Sequence, residues 1–577
     1  MENTPTFKNP GRWFSSFPFW AWDDRLDASE LVQQISHMAR QNVGGFFMHS
    51  RDGLETPYMG EEWQRYIRLC IDEAKKQGMY AWLYDEDRWP SGTAGGRVTA
   101  QGDAYRCKGI TLEVLDTLPP DLDTDSTVLA LYMARIDAMD IHWLQRFPSV
   151  TALQSYGKTT GTVYLIARME VSAPSEWFNN QAPPDNLNED TVRLFLETTH
   201  QVYADIAGDD LGKTVPGIFT DEPSLADRHS AFHPKRGWLP WTYRFRDFYQ
   251  ERRHTDILET LPYIYFDGEF SNQARHDYWK TVTELFSEAY SRTIATWCKE
   301  HNLLFTGHFL QEDKLGLCTR VNGAVMPHYY YQDMPGIDML TERTVEYMTV
   351  KQCSSVAHQF DKPLVLSETY GCTGWDFTFE GQKWIGDWQF ALGVTRRSQH
   401  LALYSLKGCR KRDYPPVFNY NTSWWEKNHV VEDYFARLSF QLQKGTPVRP
   451  ILLIHPASTA WSLLGTNPYG NPIRRNERDV PAIDARGAAF NDFLALLSAE
   501  HFDYDLGDEL LIERHGHVKE QNFLLGSSTY STVILYSLEN LETPTLDLLE
   551  LFIRNGGHVL IVASPQRTQQ YGYNQQP

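Results

Sequence analysis

The chain has 577 residues and a formal charge of −20, with 54 Lys and Arg against 74 Asp and Glu. That balance argues against a nucleic-acid or anionic-membrane partner, and a chain this long builds a core without disulfide or metal staples. The seven cysteines are scattered and form no CxxC pair, which favours reduced thiols in a cytoplasmic protein; Met1 to Pro10 lacks the apolar stretch of a leader, and no apolar run reaches the length of a membrane span.

Taken in chain order, short apolar runs alternate with amphipathic stretches, the pattern of βα units. Phe17 to Trp22 reads as strand 1. Asp27 or Ser29 caps a helix carrying Leu31, Ile35 and Met38 on one face. Val43 to His49 reads as strand 2. A second helix starts near Gly60, carries Trp63, Ile67, Ile71 and Ala74 on one face, and stops at Gly78. Strand 3 follows and ends on Tyr84-Asp85-Glu86-Asp87. The rhythm then breaks: β-type runs at Thr127 to Ala134 and Thr162 to Met169, punctuated by Pro-Pro-Asp turns, predict a small β-rich insertion over 97–188. A helix over 189–206 leads back to strand 4, Pro216 to Thr220. A Trp/Pro-rich loop, His233 to Trp241, precedes a long helix over 272–301. Strand 5 is Leu303 to His308, strand 6 Ala324 to His328, strand 7 Pro363 to Ser367 and strand 8 His400 to Leu406. Past Val448, four runs of the buried parallel type begin at Ile451, Phe502, Thr532 and His558. The tail Gln566 to Pro577, rich in Gln and Tyr, reads as disordered or cut short. The predicted fold class is α/β: a (β/α)8 TIM barrel over 11–447 with the insertion, then a flavodoxin-like domain over 448–577.

Three strands stop on carboxylates: strand 3 at Asp85 and Glu86, strand 4 at Asp221 and Glu222, strand 7 at Glu368. Barrel enzymes keep their chemistry at the carboxyl ends of the strands, and two carboxylates facing one bond suffice to cleave a glycoside. Glu222 is the candidate general acid, because Asp221 beside it raises its pKa. Glu368, after an apolar strand and before Tyr370, Gly371 and Trp375, is the candidate nucleophile or base. Each alone reads equally well as a loop acid; the pair is more specific. Asp85, Glu86 and Asp87 could bind sugar hydroxyls, ligate Ca2+ through oxygen, or sit on a solvated loop. His49 and Arg51 after strand 2 and His308 after strand 5 share the strand-end position. Trp89, Tyr370 and Trp375 offer aromatic faces for sugar C–H groups. No dinucleotide, phosphate-loop, GxSxG or HExxH motif is present.

Pro18-Phe19-Trp20-Ala21-Trp22, Gly44 to Arg51, Thr56-Pro57-Tyr58 and Tyr84 to Gly96 resemble a bacterial group of glycoside hydrolases related to family 106, the α-L-rhamnosidases. Phe219 to Pro223 and Leu366 to Thr369 are similar to the segments that carry the acid and its partner carboxylate in such barrels. The resemblance covers about Pro18 to Gln443 and implies a glycosidase acting on an oligosaccharide or glycoside. Family 106 implies inversion and Ca2+; the residues themselves demand no cofactor. Clan A glycosidases, which retain, usually carry Asn where this chain has Asp221. The region after Val448 is similar in layout to the glutaminase-like domain of family 42 β-galactosidases. Two rival readings stand beside the hydrolase: a metal-dependent sugar isomerase or epimerase using His49, Asp85, Glu222 and His308, and a non-catalytic carbohydrate-binding protein. A homo-oligomer is compatible with the composition.

Overall fold

Eight chain segments make the barrel staves: β1 (Phe19–Trp22), β2 (Gly45–Ser50), β3 (Tyr80–Tyr84), β4 (Gly217–Asp221), β5 (Leu304–His308), β6 (Met334–Met339), β7 (Leu366–Thr369) and β8 (Arg396–Gln399, resuming at Ala402–Leu403). The structure, a computed structural model, describes residues 5–225, 230–470 and 479–562. All stave pairings are parallel, and the two halves of β8 count separately in one nine-stranded sheet. The first half of β8 pairs with β7 and the second with β1, which brings the sheet back to its start. The tail Gln566 to Pro577 lies outside the described residues.

Local chemistry explains the outer helices. Asp27 caps Ala28–Arg40 by accepting from the Ser29 and Glu30 amides, and Leu31, Ile35 and Met38 are buried. Glu61–Gln77 ends at Gly78, whose φ of 64° is the left-handed turn a glycine supplies. Inside the staves, Phe19, Phe47, Trp82, Phe219, Leu366 and Leu403 form one buried cluster, with the Phe19 and Phe219 rings 4.8 Å apart. Each such side chain contributes roughly 1.5–3 kcal/mol on burial. The barrel floor is therefore solid, and only the carboxyl ends of the staves are left for polar chemistry.

Two strand expectations need correction. Stave 6 is Met334–Met339, not Ala324 to His328; the latter overlaps a short helix, Met326–Tyr329, with Pro327 in its first turn. A proline in the helix start costs no hydrogen bond, whereas Pro335 and Gly336 disguise the real strand. Stave 8 starts at Arg396, four residues before the expected His400.

The insertion is a five-stranded antiparallel sheet. Its strands are Lys108–Leu115, Val128–Asp137, Asp140–Phe147, Val163–Val171 and, from the segment read as a loop, Trp238–Trp241. One face packs under the helix Val150–Tyr156 through Leu131, Met133, Leu153 and Ile166. The other lies on barrel helices, with the Tyr132 hydroxyl donating to Leu258 O and the Tyr265 hydroxyl to Ile110 O. Both faces are thus occupied by this chain.

After residue 448, four parallel strands lie in the order Tyr504–Gly507, Ile451–Ile454, Thr532–Tyr536, His558–Val562. Numbered along the chain this is 2-1-3-4, the flavodoxin-like order. A small antiparallel sheet, Gly516–Lys519, Asn522–Leu525 and Ser528–Tyr530, was not expected from the sequence. No helix among the described residues is long and apolar enough to cross a membrane.

Candidate active site

Register places the polar residues side by side. Asp221 at the end of β4 is the Cα partner of His308 at the end of β5. Asp338 on β6 is the partner of Glu368 on β7. After Asp221 the chain turns sharply at Glu222, whose φ is 45°, and Pro223 keeps the strand from continuing. Glu222 and Glu368, from separate staves, line the same hollow at the barrel mouth with Asp221, His308 and Asp338.

His308 is the hub. Its Nε2 lies 3.1 Å from Asp221 Oδ1 and its Nδ1 3.4 Å from Glu368 Oε2. Burial alone would lower its pKa, but Glu368 and then Asp221 raise it well above the usual imidazole range. Asp221 also accepts from the Tyr84 hydroxyl at 2.5 Å. Burial pushes Asp221 up, but the hydrogen bond and charge of His308 hold it below the usual carboxylate range. Glu368 behaves oppositely: burial first, then Asp338, push it well above that range. Its other oxygen, Oε1, is 3.4 Å from His400 Nε2, and burial together with Arg51 keeps His400 neutral. Burial raises Asp338 to about 7. Carboxylates this close cannot all ionise freely, and the environments here push their pKa values apart, as acid/base chemistry requires.

One wall is aromatic and cationic. The Arg51 Nε and one terminal nitrogen each donate to Asp413 at 2.9 Å, and the guanidinium lies 4.5 Å over the Trp89 ring. Tyr414 completes that side. Behind the site, the buried Glu312 accepts from the Phe309 and Asp338 amides, both at 3.1 Å, and from the Tyr329 hydroxyl. It fixes the strand ends that carry His308 and Asp338.

Of the residues singled out from sequence, Arg51, Trp89, Asp221, Glu222, His308 and Glu368 reach this hollow. The others stand outside its lining. His49 is buried beneath, stacked 3.7 Å from the Tyr84 ring, with Nδ1 2.5 Å from Ser50 O. Asp85 is buried and accepts from the Ser91 hydroxyl at 2.6 Å. Tyr370 is a core residue whose hydroxyl donates to Gln382 O. Trp375 is 45% exposed, with its indole N–H donating to Lys411 O. Asp338, Leu340, His400 and Tyr414 line the hollow without having been singled out. The acid ending the run Gly336-Ile337-Asp338 was the available signal.

Glu86 is not free to bind a sugar. Its two oxygens accept from the backbone amides of Asp87, Gly92, Thr93, Ala94 and Gly95 at 2.6–3.0 Å. The glycine-rich turn is a nest closed on this carboxylate, and it holds the loop that presents Trp89. Glu86→Gln would turn an NH2 group toward these donors; we expect a loss of about 1–3 kcal/mol in denaturant unfolding and faster proteolysis within 87–97.

The hollow itself is narrow, about 70 Å3. A polar cleft of about 340 Å3, bordered by Tyr58, Arg88 and Asn179, shares Arg51 with it. A larger space of about 520 Å3 lies by Lys362, Pro363 and Arg449, where β7 begins. Its Arg449 is paired with Asp503 and Asp505, and it is at the end of the barrel that serves stability. Size does not locate the chemistry here; the converging acids do.

Residues 179–461 match the family model described as alpha-L-rhamnosidase, a stretch that contains both Glu222 and Glu368. No curated protein matches the chain. Among solved structures, a rhamnosidase from Novosphingobium sp. PP1Y superposes with a TM-score of 0.65 over 96% of this chain and 70% of that one, at 15% identity. A β-galactosidase from Rahnella sp. R3 gives 0.52 over 95% and 71%, at 13% identity. One from the Antarctic haloarchaeon Halorubrum lacusprofundi gives 0.51 over 94% and 73%, at 13% identity. Likeness at these identities establishes the shared architecture.

Proposed function

Starting from a glycoside hydrolase related to the α-L-rhamnosidase family, we propose that the chain removes a terminal α-L-rhamnose from an oligosaccharide or glycoside, with Glu222 as proton donor and Glu368 as base. The supporting observation is that two carboxylates from separate staves line one hollow around His308. Glu368 is deep, 5% exposed, and Glu222 is half-buried at the rim. A leaving group departs toward solvent, so the rim acid is placed to protonate its oxygen. A base works best with a pKa near the working pH, and burial with Asp338 lifts Glu368 in that direction. His308 holds Glu368 and Asp221 apart while offsetting their charge.

The resemblance brings Ca2+ with it. Asp221, Glu222, Asp338 and Glu368 present hard oxygen donors to one space, and Asp338 Oδ1 and Glu368 Oε2 are buried without a hydrogen bond. Such a donor set suits an oxygen-seeking cation. Asp338, with Glu368 beside it, would hold the ion, which would supply charge neutralisation and ligation of sugar hydroxyls. The isomerase donor set is not supported: the metal-capable triads among the described residues are Asp221, His308, Glu368 and Glu222, His308, Asp338, and neither contains His49 or Asp85. No disulfide joins cysteines among the described residues, which favours a reducing, cytoplasmic setting.

The test is a panel of aryl glycosides including α-L-rhamnoside and β-D-galactoside, with and without a chelator. We expect α-L-rhamnoside to be the preferred substrate and Ca2+ to restore what the chelator removes. Cleavage of galactoside alone would end the rhamnosidase reading.

A further inference from the structure

Among the described residues, Leu340 is the one aliphatic side chain lining the hollow; its nine companions are charged, imidazole or aromatic. It follows β6 directly, two residues after Asp338, and is half-buried. Among the described residues it joins none of the apolar clusters that form the core. Its place is nonetheless fixed. The next amide, Thr341 N–H, donates to Gly371 O at 2.7 Å, tying the end of β6 to the loop after β7. A Cβ at Gly371 would stand 2.8 Å from Leu340 Cδ2 and 2.9 Å from His400 Nδ1, so the bare glycine makes the room Leu340 occupies. An isobutyl group held toward a polar cavity and away from the core leaves apolar area in water unless a ligand covers it.

We propose that Leu340 is the specificity-determining residue for the 6-deoxy position: its methyl groups meet the C5 methyl of the sugar and select against a hydroxymethyl group there. This rests on the rhamnosidase reading above and deepens it. The rest of the lining is charged, imidazole or aromatic, whereas a 6-hydroxyl turned to Leu340 would lose its water and gain no hydrogen bond from it. Apolar pockets discriminate an added hydroxyl only moderately, roughly 100-fold, so the effect should be measurable in both directions.

The experiment compares p-nitrophenyl α-L-rhamnopyranoside with p-nitrophenyl α-L-mannopyranoside, which differ only by the 6-hydroxyl, on the full chain and on Leu340→Asn and Leu340→Met. We expect the wild type to favour the rhamnoside in kcat/KM by roughly 10- to 100-fold. Leu340→Asn should cut that ratio at least tenfold, and Leu340→Met, similar in volume and still apolar, should keep it within about threefold. Both variants should unfold at the wild-type midpoint, since Leu340 belongs to no core cluster. A wild type that cleaves the rhamnoside, with Leu340→Asn folded and its ratio unmoved, overturns the role of Leu340 alone. A wild type that cleaves neither glycoside overturns this inference together with the reading beneath it.

Discussion

Glu222→Gln and Glu368→Gln should each lose about 10²- to 10⁴-fold in kcat/KM on an alkyl or sugar α-L-rhamnoside, the usual worth of a positioned acid or base. The two losses should separate with the leaving group. A dinitrophenolate leaves without a proton, so Glu222→Gln should retain most activity on the dinitrophenyl glycoside. Glu368→Gln should be crippled on both substrates, because attack at the anomeric carbon still needs the base. Leaving-group dependence attached to Glu368 instead would reverse the roles. Stability should move the other way. Asp221, Asp338 and Glu368 crowd one another in a buried site, and Asp338 and Asp221 both push Glu368 upward. Removing the charge at Glu368 relieves that repulsion, so we expect Glu368→Gln to unfold at a higher temperature than wild type, the trade a strained active site makes for function. A midpoint that falls would mean that the two histidines flanking Glu368 need its charge more than its neighbours resent it.

The sequence was most readable where local chemistry and the fold agree. Apolar runs that stop on Asp221 and on Glu368 mark parallel staves ending at the functional face, and Asp27 and Gly78 mark helix ends by known cap chemistry. Four strands after residue 448 were visible because strands buried on both faces are apolar throughout. The misses have physical causes. β6 contains Pro335 and Gly336, residues that ordinarily speak against a strand, so Asp338 at its end went unmarked. Trp238–Trp241 pairs with Lys108–Thr111, residues about 130 positions earlier, a pairing that local propensity does not register. Glu86 looked like a ligand because it sits among strand-end acids; that five amides of its own loop would claim it depends on a turn geometry visible only in three dimensions. Leu340 is one ordinary leucine in the chain, and its meaning comes from being outside the core.

Glu542 should carry the second large effect. In a 2-1-3-4 sheet the ligand crevice lies at the carboxyl ends of the strands, at the switch between strands 1 and 3. Here that place is taken by the barrel. The long helix Ser271–Phe286 sends His276 and Lys280 to Glu542, at 2.7 and 2.9 Å. The Glu542 amide donates to Glu509 after strand 2, and Asn540 Oδ1 accepts from the Thr459 hydroxyl after strand 1. The Trp279 indole donates to Leu464 O, and that of Trp461 to Gly323 O. Both cations and the carboxylate are buried, so Glu542→Gln leaves Lys280 with only Glu513 at 3.2 Å and His276 with only Asp277 at 3.3 Å. Breaking a buried pair in this way costs about 3–5 kcal/mol, and Trp279 and Trp461 should report it as an early fluorescence change in denaturant. The effect should depend on pH. Burial lowers the His276 pKa, but Glu542 and, after it, Asp277 raise it to about 9, so the His276 contribution is complete below its ordinary value of 6.5 and fades as pH rises through about 9. Glu542 is held below its ordinary 4.5, chiefly by His276 against the cost of burial, so its contribution is present above that value and lost in acid. The gap between wild type and Glu542→Gln should therefore be widest between about pH 4.5 and 6.5 and narrow toward pH 9, with Lys280 keeping a remainder. A gap constant from pH 6 to 9 would show that Lys280 alone anchors Glu542 and that His276 is neutral in the folded chain.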